Sequence, residues 1–148
     1  MLHINRKMEN ILEGLAEPQS YLTADDELQI HESAYENSRR YWTCKGGPLR
    51  PRSEGGVNVV IIDSPPLLTL ALLSKEQDPT RPVVFENRLF TQNGSLEDLT
   101  GPQARAWDFV NTRLQHVDLL VSPVPKELAP LTNMPGKQIG YIPVSVDQ

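Results

Sequence analysis

The sequence predicts an α/β protein, a Rossmann-like parallel sheet with flanking helices. Three observations carry that expectation. Four short apolar runs recur from Val57 onward, at residues 57–62, 82–85, 118–121 and 138–142. They are nearly continuous in apolar character rather than alternating, the pattern of strands buried on both faces. Helical patterns separate them, and strands that alternate with helices pair in parallel through crossovers.

Each element can be justified in order. Ile4, Met8, Ile11, Leu12 and Leu15 fall on one helical face, and Gly14 and Pro18 bracket its end. Thr23 followed by Asp26 has the spacing of a capping box and opens a second helix. Its apolar face is expected to use Leu28, Tyr35 and Trp42, with Glu32, Glu36, Arg39 and Arg40 outside. "CKGGPLRPRSEGG", Cys44 to Gly56, is turn chemistry and reads as a loop. "VNVVIIDSPPLLTLALLSKE", Val57 to Glu76, then runs a β-branched strand into a polar, proline-stiffened corner and leaves it as a leucine-rich helix. At that corner Ser64 is placed to cap the helix, Pro65 suits its first position, and Asp63 lies beside the positive end of the helix dipole. Further on, a helix from Gly101 to His116 would turn Ala106, Trp107, Val110 and Leu114 inward, and a short helical piece is expected at 125–131. Residues 1–56 read as a helical preamble and loop of the same domain, and residues 57–148 as the α/β core.

Composition narrows the function. The 148 residues suffice for about one domain with a real core. Fourteen basic against nineteen acidic residues give a net charge of -5 with no basic block, which disfavours nucleic acid or an anionic membrane as partner. The single cysteine, Cys44, excludes an internal disulfide framework and a multi-cysteine metal site. The longest apolar stretch, Leu67 to Leu73, is far below the ~20 residues of a membrane span. The first ten residues carry charge without an apolar core, so a signal peptide is not expected and a cytoplasmic protein is. His3, His31 and His116 lack ligand spacing, so no metal is expected, and nothing calls for a cofactor.

In an open parallel sheet, ligands bind beyond the carboxyl ends of the strands. That rule selects four corners: Asp63 to Pro66, Glu86-Asn87-Arg88, Ser122-Pro123, and Pro143 to Asp147. Two roles are open to Asp63, a hydrogen bond to a sugar hydroxyl or a place beside the helix dipole. Arg88 can bind phosphate or remain a solvated strand-end charge, and Asn87 suits a sugar site or a turn. Asp147 closes the last corner. His116 ends the long helix as a dipole partner, Cys44 is a bystander, and Trp42 and Trp107 read as core.

Read together, these stretches resemble one family over nearly the whole chain. "KMENILEGL", "ENSRRYW", "GPLRPRSEGGVNVVIIDSPP", "PTRPVVFENRLF", "GPQARAWDFVNTRLQHVDLLVSPVPKELAP" and "IGYIPVSVD" are similar, in order and spacing, to segments of the fungal trehalose phosphorylase/trehalose synthase group, which includes clock-controlled proteins. This is a branch of the family-four retaining glycosyltransferases. The resemblance implies the N-terminal half of a two-domain GT-B enzyme, with a sugar acceptor pocket on this side and a donor-binding C-terminal half as its partner. It implies retaining glucosyl transfer, with glucose or trehalose and phosphate or a nucleotide-sugar donor as substrates. It assigns substrate binding to Asp63, Asn87, Arg88 and Asp147, and no catalytic residue to this chain.

The sequence also departs from the family pattern. The resemblance implies a glycine-rich loop and first strand ahead of Leu2, and a second half after Gln148. Glu9, Arg88 and Pro123 stand where the family has histidines, and Glu86 where it has arginine. Arginine for histidine removes a proton donor and acceptor that works near neutral pH, and Glu86 reverses a charge. The expectation is therefore a chain inactive by itself, with self-association through incompletely covered apolar surface. The alternative is a non-catalytic truncated paralogue that serves as a binding module or has no function.

Overall fold

The computed structural model describes residues 2–17, 20–87, 101–123 and 138–143. It opens with two helices, α1 (Leu2–Glu13) and α2 (Ala24–Asn37). The sheet follows as β1 (Val60–Ile62), α3 (Thr69–Gln77), β2 (Val83–Glu86), α4 (Pro102–Leu114), β3 (Leu119–Ser122) and β4 (Ile139–Tyr141). The strands pair in the order β1-β2-β3-β4, every pair parallel. Register sets Ile62 beside Phe85, Phe85 beside Leu120, and Leu120 beside Ile139. The parallel α/β expectation therefore holds, but the expected cover on both faces does not among the described residues, where Ile61 and Leu119 stand exposed on one face.

The order has a consequence for the layers. Parallel crossovers are right-handed, so strands that step in one direction lay their connecting helices on one face. Accordingly α3 packs on α4 and on α2, and α1 packs on α4 and α2. One core joins them: Met8, Ile11 and Leu12 of α1, Ile30 of α2, Ala71 of α3, and Trp107, Phe109 and Val110 of α4 close over Ile62, Val83, Phe85 and Leu120. Each of the larger aliphatic and aromatic side chains among them contributes about 1.5–3 kcal/mol by leaving water. The sheet residues one step out of phase point away from these helices, and among them Ile61 stands 66% exposed and Leu119 36%. Among the described residues no helix is long and apolar enough to cross a membrane.

Local chemistry explains the element ends. Thr23 caps α2 through a complete box: the Asp26 amide donates to Thr23 Oγ1 and the Thr23 amide to Asp26 Oδ2, each at 3.0 Å. Asp26 also holds Lys7 of α1 at 2.5 Å, so one carboxylate fixes both the start of α2 and its angle to α1. Burial alone would raise its pKa, but the bonds from Lys7 and Thr23 outweigh this and leave it below the ordinary value. The inward face of α2 corrects the sequence expectation. Ile30 and Ala34 are buried, whereas Leu28 is 52% exposed. Beyond Asn37 the helix widens into a π-helical turn, Ser38–Trp42, with buried Ser38 continuing the Ile30–Ala34 stripe.

The loop before β1 is held by a buried arginine. Arg81 Nη1 donates to Arg50 O at 2.7 Å, Nη2 to Leu49 O at 2.8 Å, and Nε to Ser74 Oγ at 2.9 Å. Gly56 is required at this junction, because a Cβ there would lie 1.7 Å from Arg50 O and 3.0 Å from Arg81 Nη1. At the same end of the sheet, Asp118 accepts from Lys75 Nζ at 2.6 Å and from the Val83 amide at 2.8 Å. The helix expected from Pro66 begins one residue earlier as a 3-10 turn, Pro65–Leu67, before α3. The short helical piece expected at 125–131 lies outside the described residues.

Candidate functional site

The carboxyl ends of the strands gather a row of polar side chains. Ser64 is still extended (φ -136°, ψ 128°) and continues the pleat of β1 past Asp63. Asn87 continues β2, its amide donating to Val121 O at 2.8 Å, and the Ile142 amide donates to Ser122 O at 3.1 Å. Extending the register by two residues sets Ser64, Asn87 and Ser122 level with one another on the face that carries Ile62, Phe85 and Leu120. Asn87 and Ser122 are buried, 1% and 0% exposed, and Ser64 is half-buried. Buried polar groups in such a row must be hydrogen-bonded to protein or ligand.

Glu9 joins this row from α1. The Ser64 hydroxyl donates to Glu9 Oε1 at 3.1 Å, linking α1 to the β1 corner. Ser64 therefore does not cap the helix that follows, and its side chain makes no capping bond there. Pro65 does take the first helical position, as its fixed φ favours. Asp63 is exposed and, one residue out of phase with Ser64, projects to the other side of the sheet. Parallel pairing thus brings Asp63 and Asn87 to the same end of neighbouring strands but turns them to opposite faces. Arg88 and Asp147 lie outside the described residues.

Glu9 and Ser64 were not legible as partners. Glu9 is visible in sequence as a polar residue flanking the apolar stripe of α1 and as a departure from the resembled family's histidine, and Ser64 only as a helix cap. A contact between residues 55 positions apart leaves no local signal.

Away from the rim, the His31 and Tyr35 rings meet at a 48° tilt with their centroids 4.7 Å apart. Burial and the Arg113 cation hold the His31 pKa below the ordinary value, against the pull of Glu32 and Glu76. Arg113 lies over the Phe109 ring, 3.4 Å from its centre, and donates to Phe109 O at 3.1 Å and Thr69 Oγ1 at 3.1 Å. Arg113 thus sits in the last turn of α4 and reaches back one turn to the Phe109 carbonyl. Trp107 is buried, as its helical spacing predicts, while Trp42 is half-buried. Cys44 is a free thiol. Among the described residues no group of three histidine, cysteine or carboxylate side chains is arranged to hold a metal ion.

Chemically, a carboxylate such as Glu9 accepts from hydroxyl groups, and an amide such as Asn87 both donates and accepts.

Comparison with known proteins gives one consistent result. The chain is 30% identical over 138 residues to a trehalose phosphorylase of Pleurotus sajor-caju, an alignment covering 93% of this chain and 18% of that protein. It is 28% identical to a trehalose phosphorylase of Grifola frondosa and 30% to one of Pleurotus pulmonarius, with the same coverage. The chain thus spans about a fifth of the length of the curated relatives it matches. No family model matches it, and no solved structure does.

Proposed function

We propose, from the premise that this chain is related to the fungal trehalose phosphorylases along 93% of its own length, that it is an acceptor-side portion of a retaining glucosyl-transfer enzyme. In this reading it contacts sugar and does not complete the reaction alone. The observation that carries it is the coextensive similarity, and a parallel sheet with a polar rim at its carboxyl end is the architecture such a role needs.

Retaining transfer passes through an oxocarbenium-like state, positive at the sugar and negative on the departing phosphate. The described carboxylates at the rim are Glu9, Asp63 and Glu86, beside the neutral Ser64, Asn87 and Ser122. They suit sugar hydroxyls and a developing sugar cation better than a phosphate. The groups that bind phosphate or a nucleotide-sugar donor then belong to a second, GT-B-type half across a cleft, and the roles assigned to Arg88 and Asp147 stay part of this proposal. A cytoplasmic setting belongs to it as well. With Glu9 in place of the family's histidine and held by Ser64, the rim has no imidazole there to exchange a proton near neutral pH.

Two measurements test the reading. The purified chain mixed with trehalose and phosphate should release no glucose 1-phosphate, and measurable release would sink the claim that it is inactive alone. Titration with glucose or trehalose, followed by amide NMR, should shift Asp63, Ser64 and Asn87. A flat response at those amides in saturating sugar removes the sugar-contact role. The second reading, a non-catalytic binding module, is favoured by the Glu9–Ser64 bond, which can act purely as a clamp between α1 and the β1 corner.

A further inference from the structure

We propose that the hollow between α2, α3 and α4 is a binding site for a small organic carboxylate. Its walls are His31 of α2, Thr69 and Leu72 of α3, Thr112 and Arg113 of α4, and His116 just past α4. It shares none of the residues of the rim. Every ionisable side chain that lines it is a base, although the chain holds nineteen acidic residues. The hollow measures about 150 Å³, the size of an engineered cavity that takes up benzene. It opens to solvent and its walls are mostly carbon. An apolar body can therefore rest inside while a charged group meets the bases.

Arg113 selects the charge of the ligand. Its Nε donates to Thr69 Oγ1 and its Nη1 to Phe109 O, and its plane lies over the Phe109 ring. These partners are neutral. Glu27, the acid that acts on Arg113 from a distance, is paired with Arg105 at 3.6 Å. Among the described residues Nη2 makes no hydrogen bond, so it keeps its donors for a ligand. A half-buried guanidinium gains most from a carboxylate, whose two oxygens match its planar fork. Inorganic phosphate is disfavoured, because it would exchange water for walls of carbon. The ligand also couples to His31, whose ring is faced by Tyr35 and Glu32 of α2, Glu76 of α3, Arg113 of α4, and His116. Burial and Arg113 hold the His31 pKa down, and a carboxylate between the two bases raises it. Binding therefore strengthens as pH falls through about 6.5, while a carboxylate stays ionised down to about pH 4.

Benzoate is the probe, a carboxylate on a ring that fits the hollow. Benzyl alcohol supplies the same ring without the charge, and inorganic phosphate the charge without the ring. In NMR titrations of the whole chain, benzoate should give saturable shifts of the His31 and His116 ring signals, with a Kd of about 1 mM. Benzyl alcohol and phosphate should each bind about tenfold more weakly or worse. Benzoate should also raise the His31 pKa. Arg113→Gln should weaken benzoate about tenfold and leave benzyl alcohol unchanged. Leu72→Trp fills the hollow and should abolish the shifts, with the far-ultraviolet dichroism unaltered. The absence of a saturable shift at about ten times that Kd overturns the proposal. So does benzyl alcohol or phosphate binding as tightly as benzoate, or a benzoate response that survives Leu72→Trp.

Discussion

Arg81 is fully buried, and its side-chain hydrogen-bond partners are neutral: the carbonyls of Leu49, Arg50, Val57 and Ser74 and the Ser74 hydroxyl. Burial lowers its pKa, with Asp78 pulling the other way, yet a guanidinium stays charged. Its planar fork answers several acceptors at once, which the point charge of lysine cannot do. Arg81→Met would leave those acceptors unpaired in the interior. The expected loss is about 3 kcal/mol, a fall of roughly 10 °C in Tm for a chain of this size. Arg81→Lys should recover less than half of it, and thermal melts followed by circular dichroism measure both. His31 gives a pH signature. Its folded pKa lies below the ordinary 6.5, so its neutral form is favoured by folding. The unfolded chain therefore takes up the proton first as pH falls. The contribution is whole above about pH 6.5 and is lost on descent toward the lower folded value. His31→Gln should flatten the fall in Tm between pH 7 and 5, and an unchanged slope would contradict this assignment.

Among elements, α2 shows how far local pattern reaches. The Thr23–Asp26 box was readable because both partners lie within four residues, and the structure contains both of its bonds. Thr23→Ala should cost about 1 kcal/mol in chemical denaturation. The inward face was misread. Leu28, Tyr35 and Trp42 repeat every seven residues, whereas the buried stripe is Ile30, Ala34 and Ser38, one every four. The π-helical turn at Ser38–Trp42 changes the angular spacing only past Asn37 and so bears on Trp42, whereas Leu28 lies off the buried stripe within the regular helix. The β1 corner taught a similar lesson. Pro65 was legible from its fixed φ alone, but the Ser64 hydroxyl was drawn to Glu9 of a distant helix. For α4, amphipathic spacing was enough: Ala106, Trp107, Val110 and Leu114 are all buried.

For the molecule as a whole, the four apolar runs predicted a parallel sheet, and its strands lie within a residue or two of those runs except at β1, which begins three residues late. The strand order was not written in any one run. It follows from crossovers that each step the same way, and that in turn lays the described helices on one face. The polar rim was only half legible, since parallel pairing fixes which end of the sheet a corner occupies but not which long-range partner its side chain finds. That unidirectional order also bears on how the chain is made. Every described strand pairs with its immediate predecessor, so each can be seated as soon as it emerges from the ribosome, without waiting for a later segment to be threaded between two earlier ones. The sheet can grow from β1 at the pace of translation, with the apolar faces of α1 and α2 already synthesised and available to cover it.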